Sequence, residues 1–206
     1  SVLELPNYLL LSGEYVTLTR SEAAPLFAGN VLGLASFPSL SNSGTVLTLR
    51  SAEGVLVHTL PYTPAWHSEP AKDDGGWALE MKDVHNPCAS GENWASSTHM
   101  AGGTPGTENS VKQALPDVQR PFPLRVGLPS PDSILVYFSE PLRRKGVSPS
   151  QFSISEGIGQ PLTAGLEEPQ QTVVVLKLPN FLQPGTVYQL TFLDSVADCV
   201  GNPVEV

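Results

Sequence analysis

Short runs in which apolar and polar residues alternate, separated by turn residues, make up most of the chain. In residues 45–60, two apolar runs flank a polar turn at residues 51–54, and this pattern predicts a β-hairpin. A helix is expected at residues 21–29, where Ser21 is a candidate N-cap and Pro25 limits the helix to a turn or two. The patterning therefore favours strands over helices.

Residues 75–81 have the two-residue period of a strand. Trp77, Leu79 and Met81 fall on one side, and we expect this side to face the core. Glu80 falls on the other side, where its expected role is a buried or half-buried hydrogen bond to loop amides rather than acid–base catalysis.

The second half of the chain shows cleaner strand patterns, separated by turn residues at spacings typical of a β-sandwich. The segment at residues 110–118 shows little alternation of apolar and polar residues, and we interpret it as an interdomain connection. We therefore predict an all-β protein with two β-sandwich domains in tandem, at residues 1–112 and 113–206. The residues expected to face the second core are Ile134, Val136, Phe138, Phe152, Ile154, Val174, Leu176, Leu178, Tyr188, Leu190 and Phe192.

Composition and charge narrow the classes of partner. The chain has 206 residues, 40% of them hydrophobic, which is enough for packed cores. Its net charge of −9, with 11 Lys and Arg and no basic run, argues against nucleic acid and anionic membrane surfaces as partners. No apolar run has the length of a membrane span, so direct membrane insertion is not expected.

The segment from residue 75 to residue 109 carries a family resemblance. The strings "GGWALEM", "NPCASGENWASS" and "GGTPGTENS", with "LPNYLLLSGEYVTLTRS" and the hairpin upstream, resemble the lamin-tail domain of bacterial secreted proteins. The resemblance implies a β-sandwich in residues 1–112. The initial strands of that family have no counterpart here, so we expect the module to lack its first strands and to expose unpaired edges.

Residues 113–206 resemble the bacterial immunoglobulin-like domains of surface-layer and adhesin-like proteins. The resemblance rests on "ILVYFSEPL" and on "LQPGTVYQLTFLDSVADCVGNPV". It implies an antiparallel sandwich whose usual role is spacing and binding. Within the second string, Gly201 suits a turn that requires positive φ, and Asp198 can accept hydrogen bonds from backbone amides.

Two tryptophans are candidate ligand-binding residues. Trp66 follows the predicted hairpin and is the better candidate for a sugar-stacking aromatic, while Trp94 lies in a polar loop. Packing inside the fold is the alternative for both, because an indole buries a large apolar surface.

No cofactor is expected, with calcium as the one exception. Carboxylates and loop carbonyls suit this cation, and the candidate ligands are Asp194, Asp198 and Asn202, with Asp73 and Asp74 as a second choice. The four histidines match no transition-metal spacing.

Cys88 and Cys199 are far apart in sequence and match no zinc or redox motif. Both lie where proteins of the resembled kind place cysteines. A disulfide that would lock the two domains together and a pair of free buried thiols are both compatible with the sequence.

These observations favour a non-catalytic module of a secreted or cell-surface bacterial protein that acts in adhesion, ligand binding or spacing. The expected partner is a protein or glycan at the cell surface. The alternative is a set of accessory domains in a larger secreted hydrolase, such as a nuclease, a phosphatase or a carbohydrate-active enzyme.

Overall fold

The computed structural model describes residues 2–67, 69–143, 146–194 and 196–205. The chain forms two compact units. Unit 1 comprises Ser1–Leu47, Leu60–Val84 and Ala89–Leu115. Unit 2 comprises Thr48–Thr59, His85–Cys88 and Pro116–Val206. The predicted division between residues 112 and 113 stays a prediction.

The all-β prediction is confirmed, since strands in several sheets dominate the described residues. The described strands of the first half form three pairs. β1 pairs with β2 in parallel, and β5 pairs with β6 in antiparallel orientation. The third pair is β3 with β4. These strands are β1 (Thr17–Arg20), β2 (Val31–Leu34), β3 (Thr45–Arg50), β4 (Leu56–Tyr62), β5 (Leu79–Met81) and β6 (Trp94–Ser96).

The predicted hairpin is confirmed as β3 and β4. Its turn is closed by two backbone hydrogen bonds, from Ser51 N to Val55 O (2.8 Å) and from Gly54 N to Ser51 O (3.0 Å). Gly54 has φ +79°, a conformation that glycine adopts without steric cost.

The described helices are short. The predicted helix is a 3-10 helix at Ser21–Leu26, and Ser21 is its first residue rather than its N-cap, which is Arg20. The reason is that β1 runs directly into the helix and leaves no residue between them. No described helix is long and apolar enough to cross a membrane. The others are 3-10 helices at Pro64–Trp66, Gly91–Asn93 and Pro149–Gln151, and α1 at Pro70–Asp73.

Unit 2 contains a four-stranded sheet in the order β10-β11-β8-β7 and a two-stranded sheet of β12 and β9. All of their described pairings are antiparallel. The strands are β7 (Pro123–Ser130), β8 (Ser133–Phe138), β9 (Phe152–Ile154), β10 (Thr163–Leu166), β11 (Val173–Lys177) and β12 (Leu190–Phe192).

The core of unit 2 lies on one face of β8 and β11. Val136 pairs with Val174, and Ile134 with Leu176, so these four side chains share a face. All four are buried, as predicted, and so are Phe138, Phe152, Ile154 and Leu178. Tyr188, Leu190 and Phe192 are only partly buried, and they pack against this core.

Candidate functional site

Glu80 lies at the centre of the hydrogen bonds that hold residues 75–110 of unit 1 together. It is 4% exposed, and its carboxylate accepts hydrogen bonds from Thr104 Oγ1 (2.6 Å), Ser110 N (2.8 Å) and Ser110 Oγ (2.7 Å), among others. Burial alone would raise the pKa of Glu80, but the bonds from Thr104, Ser110 and Ser97 outweigh it and hold that pKa below its usual value. The prediction that Glu80 bonds to loop amides is confirmed. The carboxylate of Glu80 thereby holds residues 104–110 against β5.

Further polar contacts fasten the same segment. Asn93 accepts from Asp83 N and donates to Asp83 O, both at 2.8 Å, and Asn109 Nδ2 donates to Met81 O at 2.8 Å. A Cβ on Gly102, which has φ +81°, would lie 2.0 Å from Gly76 O, so only glycine fits there. The polar residues of the segment thus hold its own loops together.

Trp77 was expected in the core, but it is half-buried, and Lys72 Nζ lies 4.7 Å from its ring centroid. The buried position of β5 is Glu80 instead, with Leu79 and Met81 half-buried on either side. The apolar side of this short strand is therefore less covered than the side that carries the hydrogen-bonded carboxylate.

The two candidate tryptophans lie together. Trp66 and Trp94 stack with ring centroids 5.9 Å apart and an interplanar angle of 22°. Both are half-buried. A Cβ on Gly91 would lie 2.5 Å from Trp66 Nε1, so the backbone of Gly91 packs closely against this indole. The pair is partly engaged in packing, and ligand binding by it stays a prediction.

Asp198 organises a turn in unit 2. Its Oδ1 accepts from the backbone N–H groups of Val200 (3.0 Å), Gly201 (2.6 Å) and Asn202 (2.8 Å), and its Oδ2 accepts from Asn202 Nδ2 (2.8 Å). Gly201 has φ +107°. The predicted roles of Asp198 and Gly201 in the turn are confirmed.

Three carboxyl groups lie close together around that turn. Oxygen atoms of Asp117, Glu140 and Asp198 all lie within 4.8 Å of one another. Burial first, and then the negative charges of Asp117 and Asp198, raise the pKa of Glu140 to about 7. Near neutral pH the carboxyl group of Glu140 is therefore only partly ionised, whereas an ordinary glutamate is fully ionised.

Of the three predicted calcium ligands, the structure brings Asp198 and Asn202 into contact. Asp194 is exposed and is not a member of the carboxylate group. Both carboxylate oxygens of Asp198 already accept N–H donors. Calcium binding stays a prediction, and the sequence missed Asp117 and Glu140, which come from distant parts of the chain.

Cys88 and Cys199 form a disulfide, with Cα atoms 6.1 Å apart. The expected role of this bond was to lock two domains together, with Cys88 in the first. The structure instead places the segment His85–Cys88 in unit 2, together with Cys199. The bond therefore joins the segment His85–Cys88 to Cys199 within unit 2.

Comparison with known proteins bears on the second half of the chain. Residues 113–206 match the family model described as a bacterial Ig-like domain. No curated protein is significantly similar to the chain.

Solved structures similar to part of the chain come from S-layer proteins. They include the S-layer protein rSbsC (21% identity over 42% of this chain and 12% of that one) and the N-terminal part of the bacterial S-layer protein SbsC (22% identity over 42% and 22%). The TM-score is 0.38 for both, which is too low to support an argument. The match spans less than a quarter of either S-layer chain. By sequence, residues 113–206 match the family of bacterial Ig-like domains.

Proposed function

We propose that this chain is a non-catalytic module of a secreted or cell-surface bacterial protein, and that it acts in adhesion, ligand binding or spacing. The observation that carries the proposal is the way the buried carboxylates are used. Glu80 and Asp198 both accept hydrogen bonds from their own loops. A catalytic acid or nucleophile needs access to substrate, and these groups hold backbone instead.

The family match supports a scaffold role for residues 113–206. In such a scaffold a rigid core positions loops and edges, which make the contacts with a partner. We further propose that residues 1–112 are a lamin-tail module, on the motifs from Gly75 to Asn109.

The proposed partner is a protein or a glycan at the cell surface. A net charge of −9 disfavours polyanions such as nucleic acid. The stacked pair of Trp66 and Trp94 is the contact surface that we favour, because both indoles are only half-buried and indole faces pack well against the apolar faces of sugar rings.

The experiment is a binding screen of the purified chain against glycans, cell-wall polymers and nucleic acids, with calcium or with a chelator. We expect a glycan or cell-wall ligand whose binding is lost in Trp66→Ala and largely kept in Trp66→Phe, which retains an aromatic ring. Trp77→Ala is the matched control, since Trp77 lies outside the stacked pair and beneath Lys72.

Thermal unfolding of each variant shows whether a loss of binding is merely a loss of fold. A ligand that Trp66→Ala binds as well as the wild type would remove the tryptophan pair from the proposal. A blank screen would leave spacing as the role, or a role as an accessory domain beside a catalytic one.

A further inference from the structure

Strand β7 carries apolar side chains that are more than half exposed. Val126 pairs directly with Val136, which is 1% exposed, so both side chains point to the core face of the sheet. Val126 is nevertheless 55% exposed. Leu124 and Leu128, which lie at the two irregularities of the β7–β8 register, are 60% and 63% exposed. This end of the core face is open to solvent.

The backbone of β7 is open as well. It is the edge of the order β10-β11-β8-β7, so within the described residues it pairs with β8 alone. An unpaired edge strand with an apolar face is a template for another strand.

The structure also marks the line that such a strand would follow. Val204 N donates to Val196 O and Glu205 N donates to Pro121 O, both at 2.8 Å. Residues 203–205 therefore lie between the segment after β12 and the segment before β7.

The chain also contains an apolar segment that has the pattern of a strand but no strand partner. Residues 2–10 belong to no described strand or helix. Leu3, Leu5, Leu9 and Leu11 occupy every second position except Asn7, so an extended backbone puts all four leucines on one face. Leu9 is 79% exposed and Leu11 is 56% exposed.

We propose that residues 3–11 of one copy of the chain add as a strand to the free edge of β7 in a second copy, and that two copies exchange these segments reciprocally. The leucine face covers Val126 and its neighbours, and the backbone of the segment satisfies the open edge.

Length and area support the reciprocal form. At about 3.3 Å per residue, the nine residues of the segment and the eight of β7 both span roughly 26–30 Å. A single added strand is small beside the roughly 1,200–2,000 Å² of a stable interface, so two contacts related by a two-fold axis are the favoured arrangement.

The position of Pro6 sets the register. Neighbouring residues of a strand direct their N–H groups to opposite sides, and a proline is tolerated where its nitrogen faces away from the partner strand. Residues 3, 5, 7 and 9 therefore hydrogen-bond to β7, and the even-numbered residues, with Pro6, face away. Leu11 contributes only its side chain, because its backbone N–H donates to Glu14 Oε2 and its C=O accepts from Glu14 N, both at 3.1 Å.

Charge opposes this association. Each copy carries a net charge of −9, so two copies repel each other at low ionic strength. Added salt screens the repulsion and leaves the apolar contact intact. Dimerisation is therefore expected to be stronger at high salt than at low salt.

The test is sedimentation of the 206-residue chain over a range of concentrations. The wild type is expected to form a dimer. Two variants each remove one half of the contact. Asn7→Pro removes an N–H that faces β7 without removing a leucine, and Val126→Glu places a charge on the acceptor face. Each is expected to weaken dimerisation at least tenfold.

The controls match these changes. Glu4→Pro puts a proline at an even-numbered, exposed position, and Val187→Glu puts a charge at a side chain that is 90% exposed. Both are expected to dimerise like the wild type. A mixture of Asn7→Pro with Val126→Glu restores one donor and one acceptor, so a heterodimer weaker than the wild-type dimer is expected. Circular dichroism verifies that each variant is folded.

A wild-type chain that stays monomeric at every concentration would overturn the proposal. So would a dimer lost in Val126→Glu but unchanged in Asn7→Pro, because that result means that two β7 edges pair with each other and the leucine segment takes no part. Failure of the mixture to form a heterodimer also counts against strand exchange.

Discussion

The carboxyl group of Glu140 gives the sharpest stability prediction. Its pKa of about 7 lies above the ordinary value of 4.5. Between these two values the folded protein binds a proton that the unfolded chain has released, so its stability falls as the pH rises through this window. The substitution Glu140→Gln removes the titrating group and keeps its size.

The magnitude follows from the shift. The difference between 7 and 4.5 is 2.5 pKa units, which corresponds to about 3 kcal/mol at the upper limit. Glu140 is half-buried, and water screens the repulsion from Asp117 and Asp198. We therefore expect the ionised group to cost roughly 1–2 kcal/mol at pH 8.

The assay is urea unfolding of the wild type and Glu140→Gln at several pH values between 5 and 8, in chelator. Near pH 5, close to the unfolded pKa of 4.5, the two proteins should differ least in free energy of unfolding, because Glu140 is then protonated in the folded state. Towards pH 8 the variant should become the more stable one. Glu156→Gln is the control, because Glu156 is an exposed glutamate in the same unit. Its effect on stability should show no such trend with pH.

A stability difference between Glu140→Gln and the wild type that does not change from pH 5 to pH 8 would refute the reasoning. It would mean that the three carboxyl groups do not interact in solution as their separation of less than 4.8 Å implies.

Two further predictions concern the buried contacts. Glu80→Ala strands the donors of Thr104 and Ser110 and should cost about 1–3 kcal/mol in urea unfolding. Because the pKa of Glu80 is lowered, its contribution is present above pH 4.5 and is lost as the pH falls through the folded value, so the variant and the wild type should converge in acid. Reduction of the Cys88–Cys199 bond should lower the free energy of unfolding by roughly 2–4 kcal/mol. An equal loss on adding the reductant to the variant with both cysteines replaced by alanine would contradict this prediction.

The parts of the fold that local pattern determines could be predicted from the sequence. The β3–β4 hairpin is an example, since its turn and both apolar runs lie within residues 45–62. Glu80 is another, because its position opposite the apolar side of a short strand indicated a hydrogen-bonding role, although its donors Thr104 and Ser110 lie 24 and 30 residues away and were not identified.

The contacts that join distant segments could not be predicted. Asp117, Glu140 and Asp198 come from three separate stretches, and only the fold of unit 2 brings them within 4.8 Å of one another. The same applies to the placement of the segment His85–Cys88 in unit 2, which depends on long-range contacts rather than on its own sequence. The half-burial of Trp77 reflects the small size of the sheet that carries it.

The central claim is that the chain acts by binding and not by catalysis. The most direct measurement is a hydrolysis screen of the purified chain with nuclease, phosphatase and glycosidase substrates, with Glu80→Gln and Asp198→Asn assayed in parallel. We expect no turnover above buffer for any of the three proteins. A turnover that copurifies with the wild-type chain and disappears in either folded variant would contradict it.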